Sequence, residues 1–253
     1  MLLQGLACAV PAEPACGPLR LGLRDYPRVY QRDAKGVYGG LDKEFFEALA
    51  QRSGCKFEIR LESQPRLWDG LRGGRIDLAS WVIQTEERSH TVNVIPLLEI
   101  RLMAVTWRDV PELTQAEFLA NTKLTAVRVR QSVHGPGYDE LLNKLLEQGR
   151  LSEVADVDTA LRVFSARRVA LLVAYPWALF GQSEQWMSQV RLSDWHPTAG
   201  VVHSGLAISH RVSAADARKL EDALRSMQRD GSLARMVARH LPMDLTKLVP
   251  APK

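Results

Sequence analysis

Between residues 19 and 81 short apolar runs alternate with longer amphipathic stretches, and this alternation restricts the fold more than any other feature of the chain. Leu19–Leu23, Phe57–Leu61 and residues 76–81 read as strands. Residues 42–52 read as a helix with Leu41, Phe45 and Leu49 on one face and Gly54 as its stop. A shorter helix over 66–72 ends at Gly73 and Gly74. Strands separated in this way by helices form a parallel sheet with helices on both faces. The apolar run 100–107 predicts a further strand, ending in Arg108-Asp109-Val110-Pro111.

A second unit of the same kind follows. Thr114-Gln115-Ala116-Glu117 has the form of a capping box. A strand is expected over 124–129, then a helix over 136–148 opened by Pro136, carrying Leu141, Leu142 and Leu145 and stopped by Gly149. Asp158 is expected to cap a helix carrying Leu161 and Phe164. Residues 169–173 are apolar throughout, which marks a central strand, and 190–192 suit an edge strand. After the apolar stretch 205–209, Ser213-Ala214-Ala215-Asp216 opens a long helix through Leu220, Leu224 and Met227. Gly231 breaks it, and a last helix carries Leu233, Met236 and Val237.

The 253 residues carry a formal net charge of +4, with basic residues scattered rather than clustered, so no nucleic-acid footprint is present. No apolar run approaches the ~20 residues that span a bilayer. The six histidines are dispersed and no His or Cys cluster has ligand spacing, so neither metal nor cofactor is expected. There is no Gly-x-Ser-x-Gly elbow and no phosphate-cradling loop.

Residues 1–15 are apolar and rich in small side chains, and Ala7-Cys8-Ala9 has the form of a signal-peptidase site. They read as the tail of a secretory signal or as a disordered N-terminus. Gly5, where a lipoprotein signal favours leucine, argues against Cys8 as a lipidated cysteine. Cys16 precedes the first strand and Cys55 precedes Phe57–Leu61. If those strands are neighbours in a parallel sheet, both cysteines lie at one edge and a disulfide suits an oxidising compartment; two free thiols are the alternative.

Arg88 is the most pointed residue of the chain. Thr85 is a good helix N-cap, and Glu86 and Glu87 suit the positive end of a helix dipole, whereas a cation in that turn opposes it. Such a cation needs a partner: Glu86 or Glu87 on the same turn, or an anionic ligand gripped by the guanidinium fork.

The stretch Gly73-Gly74-Arg75-Ile76-Asp77, a strand, and Thr85-Glu86-Glu87-Arg88 resembles the family-3 extracellular solute-binding proteins, the periplasmic receptors of polar amino acid importers. Leu19–Leu23 with Tyr26-Pro27 is similar to the family's first strand and aromatic loop. Gly40-Leu41-Asp42 is similar to its Gly-Phe-Asp, Trp68 and Leu71 to the residues before its Gly-x-Ile-Asp, and Asp230-Gly231-Ser232-Leu233 to its turn between the last helices. The resemblance implies a two-lobed α/β fold of the type II periplasmic-binding-protein kind. Each lobe is then a mostly parallel sheet flanked by helices, and a two-crossing hinge joins them. Lobe 1 would comprise 16–106 with 203–253, and lobe 2 would comprise 107–202.

By the same resemblance Arg88 grips a carboxylate, Tyr26 covers the ligand, and Ser80 and Trp81 reach it from a strand end, although Trp81 equally suits the core. From the second lobe Arg130-Gln131-Ser132 offers backbone N–H groups and the Ser132 hydroxyl, with Arg130 as a second cation or a solvated one. His134 stands near this loop. The sequence departs from the family where an aspartate usually meets the ligand's ammonium. Here the chain reads Ala174-Tyr175-Pro176-Trp177, and a tyrosine does not neutralise an ammonium at neutral pH. Either the solute lacks that group or the alignment slips and Asp194 or Glu184 serves it. The expected function is a monomeric periplasmic receptor serving the membrane permease of an ABC-type importer. The alternatives are a cyclohexadienyl-dehydratase-like enzyme, marked by a carboxylic acid in the cleft, and a sensing module for a membrane partner.

Overall fold

The computed structural model describes residues 16–26, 28–179, 182–196, 201–241 and 246–248, so the expected leader at 1–15 and Cys8 lie outside the described residues. The chain opens with β1 (Leu19–Leu23), the hairpin β2 (Gln31–Arg32) and β3 (Tyr38–Gly39), α1 (Leu41–Ser53), β4 (Phe57–Leu61), α2 (Gln64–Gly73) and β5 (Leu78–Ile83). A single helical turn, α3 (Glu86–Ser89), leads to β6 (Val92–Arg101), and β7 (Met103–Trp107) follows after Leu102. Then come α4 (Gln115–Ala120), β8 (Ala126–Val129), α5 (Pro136–Glu147), β9 (Leu151–Val154), α6 (Val157–Ser165), β10 (Leu171–Ala174), α7 (Glu184–Gln189) and β11 (Val190–Ser193). The chain closes with β12 (Val201–Ser209), α8 (Ala214–Arg229), α9 (Ser232–His240) and β13 (Thr246–Leu248).

These strands build two principal sheets, ordered β13-β6-β12-β5-β1-β4 and β11-β7-β10-β8-β9. Strand β1 runs parallel to β4 and β5, and β8 runs parallel to β9 and β10, as the alternation with helices requires. The pairs made by β6, β7, β11, β12 and β13 are antiparallel, and these strands include those that carry the chain from one sheet to the other. The fully apolar β10 is central to its sheet and β11 is an edge, both as expected.

Several expected boundaries move. The run 100–107 is the end of β6, then Leu102, then β7 in the second sheet. The chain therefore passes from the first sheet to the second at Leu102. Strand β5 starts two residues later than expected because the backbone amides of Arg75 and Ile76 both turn back to the Gly70 carbonyl. Asp77 is also structural: it accepts from the backbone amide of Arg20 and from Nε and Nη2 of its guanidinium, clamping β1 to the start of β5. The cap of α6 is Asp156, which accepts from the Thr159 amide; Asp158 lies inside the first turn.

Two close backbone approaches place the site. Gly40, at φ 111°, lies so near the 28–29 backbone that a Cβ would fall 2.5 Å from the Val29 carbonyl oxygen. This brings the start of α1, and hence Asp42, beside the end of β5. In β12 the pairing register with β6 shifts at Ser204–Gly205, where a Cβ on Gly205 would fall 1.8 Å from the Ile95 carbonyl oxygen. That bulge re-aims Ser204 within the sheet.

Cys16 and Cys55 are bridged, with β1 and β4 paired directly beyond them. The bridge closes a loop of sequence separation 39, for which chain entropy predicts about 4 kcal/mol of stabilisation, with measured bridges commonly giving ~2–4 kcal/mol. The double variant Cys16→Ser/Cys55→Ser is expected to lose stability in that range in urea unfolding. An unchanged midpoint would show that the bridge adds nothing.

Candidate functional site

The ends of β1, β5, β8 and β10 converge on the space between the two sheets, the usual ligand position in α/β folds. Of two adjoining inner cavities there, the larger of the pair, about 80 Å³, is lined from the first lobe by Arg24, Tyr26, Val29, Leu41, Trp81, Leu98, Ile100 and Ser204. From the second it is lined by Val129, Ser132, His134, Val157, Leu161, Val173 and Tyr175, with Leu102 between. A smaller one, about 40 Å³, is more polar and is lined by Arg24, Gln64, Trp68, Ser80, Arg88, Ser132 and Tyr175, among others. Arg24, Trp81, Ser132 and Tyr175 border both.

Arg88 is 9% exposed. Its backbone amide donates to Thr85 Oγ1, so the N-cap holds the residue itself. Its Nη1 donates to the Ile83 carbonyl at 3.1 Å and its Nη2 to the Gln131 carbonyl of the second lobe at 3.0 Å. The guanidinium carbon lies 4.2 Å from the Trp68 ring centroid, a cation–π contact. Neither Glu86 nor Glu87 forms an ion pair with it, and among the described residues no carboxylate does. Burial lowers its pKa to about 10, which keeps it cationic at neutral pH. Two of its five donors are taken by carbonyls, and three remain for a ligand. Because α3 is one turn long, burial rather than an opposed helix dipole makes Arg88 unusual.

Ser80 and Trp81 are brought to the cleft, but their polar atoms face away from it. Ser80 Oγ donates to Asp42 Oδ2 at 2.8 Å and Trp81 Nε1 to Asp42 Oδ1 at 2.5 Å. Asp42 is 1% exposed, and burial pushes its carboxyl up to about 7 despite those two donors and nearby Arg24. It stands behind the wall that Ser80 and Trp81 form. Trp81 has φ 50° and Gln131 φ 59°, left-handed conformations that are costly for such side chains. Both flank the cleft, one from each lobe. The turn at Gln131 aims its carbonyl at Arg88.

Tyr26 is buried and borders the larger cavity, with the Arg24 guanidinium 5.7 Å from its ring centroid. Tyr175 lies between the two cavities, its phenol pushed up strongly by burial. Ser132 borders both. Arg130 does not join them: its side chain is exposed, the solvated alternative. The loop after β8 also differs from a helix start, because α5 begins only at Pro136 and the His134 amide is taken by the Asp139 carboxylate. Asp194 pairs with Arg101 at 3.1 Å and borders neither cavity, and the side chain of Glu184 lies outside the described residues. Sequence reasoning passed over Arg24, although it follows β1 just as Tyr26 does. Its Nη1 donates to Gln64 Oε1 at 2.7 Å, and it too has no carboxylate partner among the described residues.

The sequence profile of the bacterial extracellular solute-binding proteins, family 3, matches residues 19–243. The chain belongs to this family. No curated protein matches it. Solved structures share its fold at low identity. A histidine kinase sensor domain with similarity to periplasmic binding proteins superposes with a TM-score of 0.76 at 18% identity, covering 94% of this chain and 99% of that one. An ancestral arginine-binding protein bound to arginine gives 0.74 at 18% identity, covering 90% and 100%. A solute receptor for L-cysteine of Neisseria gonorrhoeae gives 0.75 at 18% identity, covering 91% and 95%. The two-lobed type II arrangement of this solute-binding protein is thus that of its family. Among the described residues no helix is long and apolar enough to cross a membrane, and no group of acidic, His and Cys side chains is arranged to hold a metal ion.

Proposed function

We propose that the protein is a periplasmic receptor that closes its two lobes around a small carboxylate-bearing solute and presents it, as a monomer, to the permease of an ABC-type importer. One observation carries this reading. Two guanidinium groups, Arg24 and Arg88, border the interlobe space, and no carboxylate pairs with either among the described residues. Arg88 is buried and Arg24 half-buried, and a buried cation without a counter-ion favours an anion strongly. Lobe 1 would run from Cys16 through Leu102 and resume at Val201, with lobe 2 between.

The enzyme reading loses its expected mark. Two acids near the cleft are raised by burial: Asp42, whose carboxylate is held by Ser80 and Trp81 behind the wall and borders neither cavity, and the exposed Asp158 at the outer pocket beside Arg24. Asp42 is not placed to exchange a proton with a substrate, and Asp158 lies outside the two cavities that Arg88 and Ser204 border. A sensing role has a specific support, the fold shared with a histidine kinase sensor domain. It would use the same closure with a different membrane partner.

A thermal-shift screen of amino acids, dicarboxylates, aromatic acids and polyamines tests the receptor reading. A solute that binds only the folded protein stabilises it by RT ln(1 + [L]/Kd), so a carboxylate at ~100 Kd should add roughly 2.7 kcal/mol and raise the melting temperature by several degrees. No shift with any carboxylate would sink the proposal.

A further inference from the structure

We propose that the solute is an acid with an apolar body and no ammonium group, carrying a hydroxyl or carbonyl that pairs with Ser204 on the cavity wall. This rests on the receptor reading and narrows its ligand. Three observations carry it.

The first is charge. Arg24 and Arg88 are the charged side chains among the described residues bordering the two enclosed cavities. Glu87 borders an outer pocket with Arg88 but is exposed and makes no ion pair with it; the other nearby carboxylates are engaged or outside. Asp42 is locked behind Ser80 and Trp81. Asp139 accepts from the His134 amide and faces His134 Nδ1 at 3.3 Å. Asp194 pairs with Arg101. Asp25, Glu62, Asp156 and Asp158 lie at the mouth in front of Arg24, where all but the half-buried Glu62 are exposed. An ammonium brought inside would be desolvated beside two guanidinium groups with no anion to compensate.

The second is the lining. Beyond Trp81 and Tyr175 the larger cavity is walled chiefly by Leu, Ile, Val and Ala side chains from both lobes. It suits an aliphatic or aromatic body. A polar amino acid side chain would find few partners there.

The third is Ser204. It is 1% exposed, borders this cavity, and its Oγ makes no hydrogen bond among the described residues. Buried hydroxyls are nearly always paired, and an orphan on a cavity wall is explained by a partner that enters the cavity. Ser204 stands in β12 between Leu98 of β6, which also borders this cavity, and Ile83 of β5, whose carbonyl accepts from Arg88.

Calorimetry and melting curves with matched probes test this. The set is phenylpropanoate, its para-hydroxylated analogue, L-phenylalanine, L-tyrosine, the pair 4-methylpentanoate and L-leucine, and L-arginine for the acidic mouth. Each acid is expected to bind roughly 30-fold or more tightly than the amino acid that differs by the ammonium. In Ser204→Ala, the preference for a probe whose hydroxyl or carbonyl reaches that position should fall roughly 3–10-fold, while a probe lacking it is unaffected. An amino acid that binds as tightly as its deaminated partner, or arginine binding tightest, overturns the inference and leaves the receptor reading standing. An equal effect of Ser204→Ala on hydroxylated and plain probes overturns the part given to Ser204. Silence from every acid, with and without the amine, overturns both readings together.

Discussion

Arg88→Ala is expected to weaken solute binding by ~2–5 kcal/mol, the usual cost of removing one member of a buried, hydrogen-bonded charge pair. The guanidinium joins the lobes through the Ile83 and Gln131 carbonyls and keeps three donors for an anion. Its loss therefore removes a ligand contact and the cross-cleft link at once. Arg88→Lys should recover only part of the affinity. An ammonium keeps the charge but cannot lie flat on Trp68 while reaching both carbonyls. Fold stability should fall much less than affinity, because the link spans a cleft that opens. Calorimetry with the tightest solute of the screen checks this. Wild-type affinity in Arg88→Ala would remove the carboxylate from the reading of the site.

Stability is expected to fall between about pH 4 and pH 7, and Asp42→Asn to abolish that fall. The Asp42 carboxyl is raised from its ordinary 3.8 to about 7 by burial, so the folded protein holds the proton more tightly than the unfolded chain. Its contribution to stability is full below about pH 4, is lost as the pH climbs toward 7, and is flat beyond. At 1.36 kcal/mol per pH unit the loss is roughly 4 kcal/mol. Asparagine fits the same place: its oxygen can accept from Trp81 and its amide can donate to the Ser80 hydroxyl. At pH 8 the variant should thus be the more stable protein by ~2–4 kcal/mol. Asp42→Ala should be destabilising at every pH, since it strands Ser80 Oγ and Trp81 Nε1. Urea unfolding from pH 4 to 8 decides; equal slopes in wild type and Asp42→Asn would show that Asp42 titrates normally.

Much of the fold was legible where local rules and tertiary structure agree. Leu19–Leu23 and Phe57–Leu61 are strands to the residue, Gly54 and Gly74 end α1 and α2, and Thr85, Thr114 and Ser213 cap the helices they precede. Strand β6 was hidden by Pro96, which reads as a strand breaker. It is tolerated because Pro96 stands opposite Gly205, where the pairing is already irregular. Strand β9 is a half-exposed edge with too few apolar residues to show a period. Tyr26, Arg88 and Tyr175 could be placed at the cleft, whose cavities they border, because residues following strand ends point into the cleft of such folds. Asp42 was visible as a motif, but its partners Ser80 and Trp81 were read as facing the ligand. Spacing does not tell which side of a strand end carries the polar atoms. Ser204 could not be found from sequence, since its place depends on a bulge in a strand whose partner was itself unread.

The passage at Leu102 has a mechanical consequence. Strand β6 becomes β7 across that one residue, and Arg101, just before it, is tied to Asp194 beyond β11, so the outward and return paths are fastened together. Any turning of one lobe on the other would therefore pass through a narrow axis, and Leu102 on that axis is also a wall of the chamber. A small dihedral change there sweeps the distant rim through a much larger arc, as a short lever drives a long one. A solute seated against Leu102 presses on the fulcrum itself. Under the proposed receptor role its bulk there would govern how far the rim closes, and a membrane partner that touches only the rim would read the shape of a molecule it never meets.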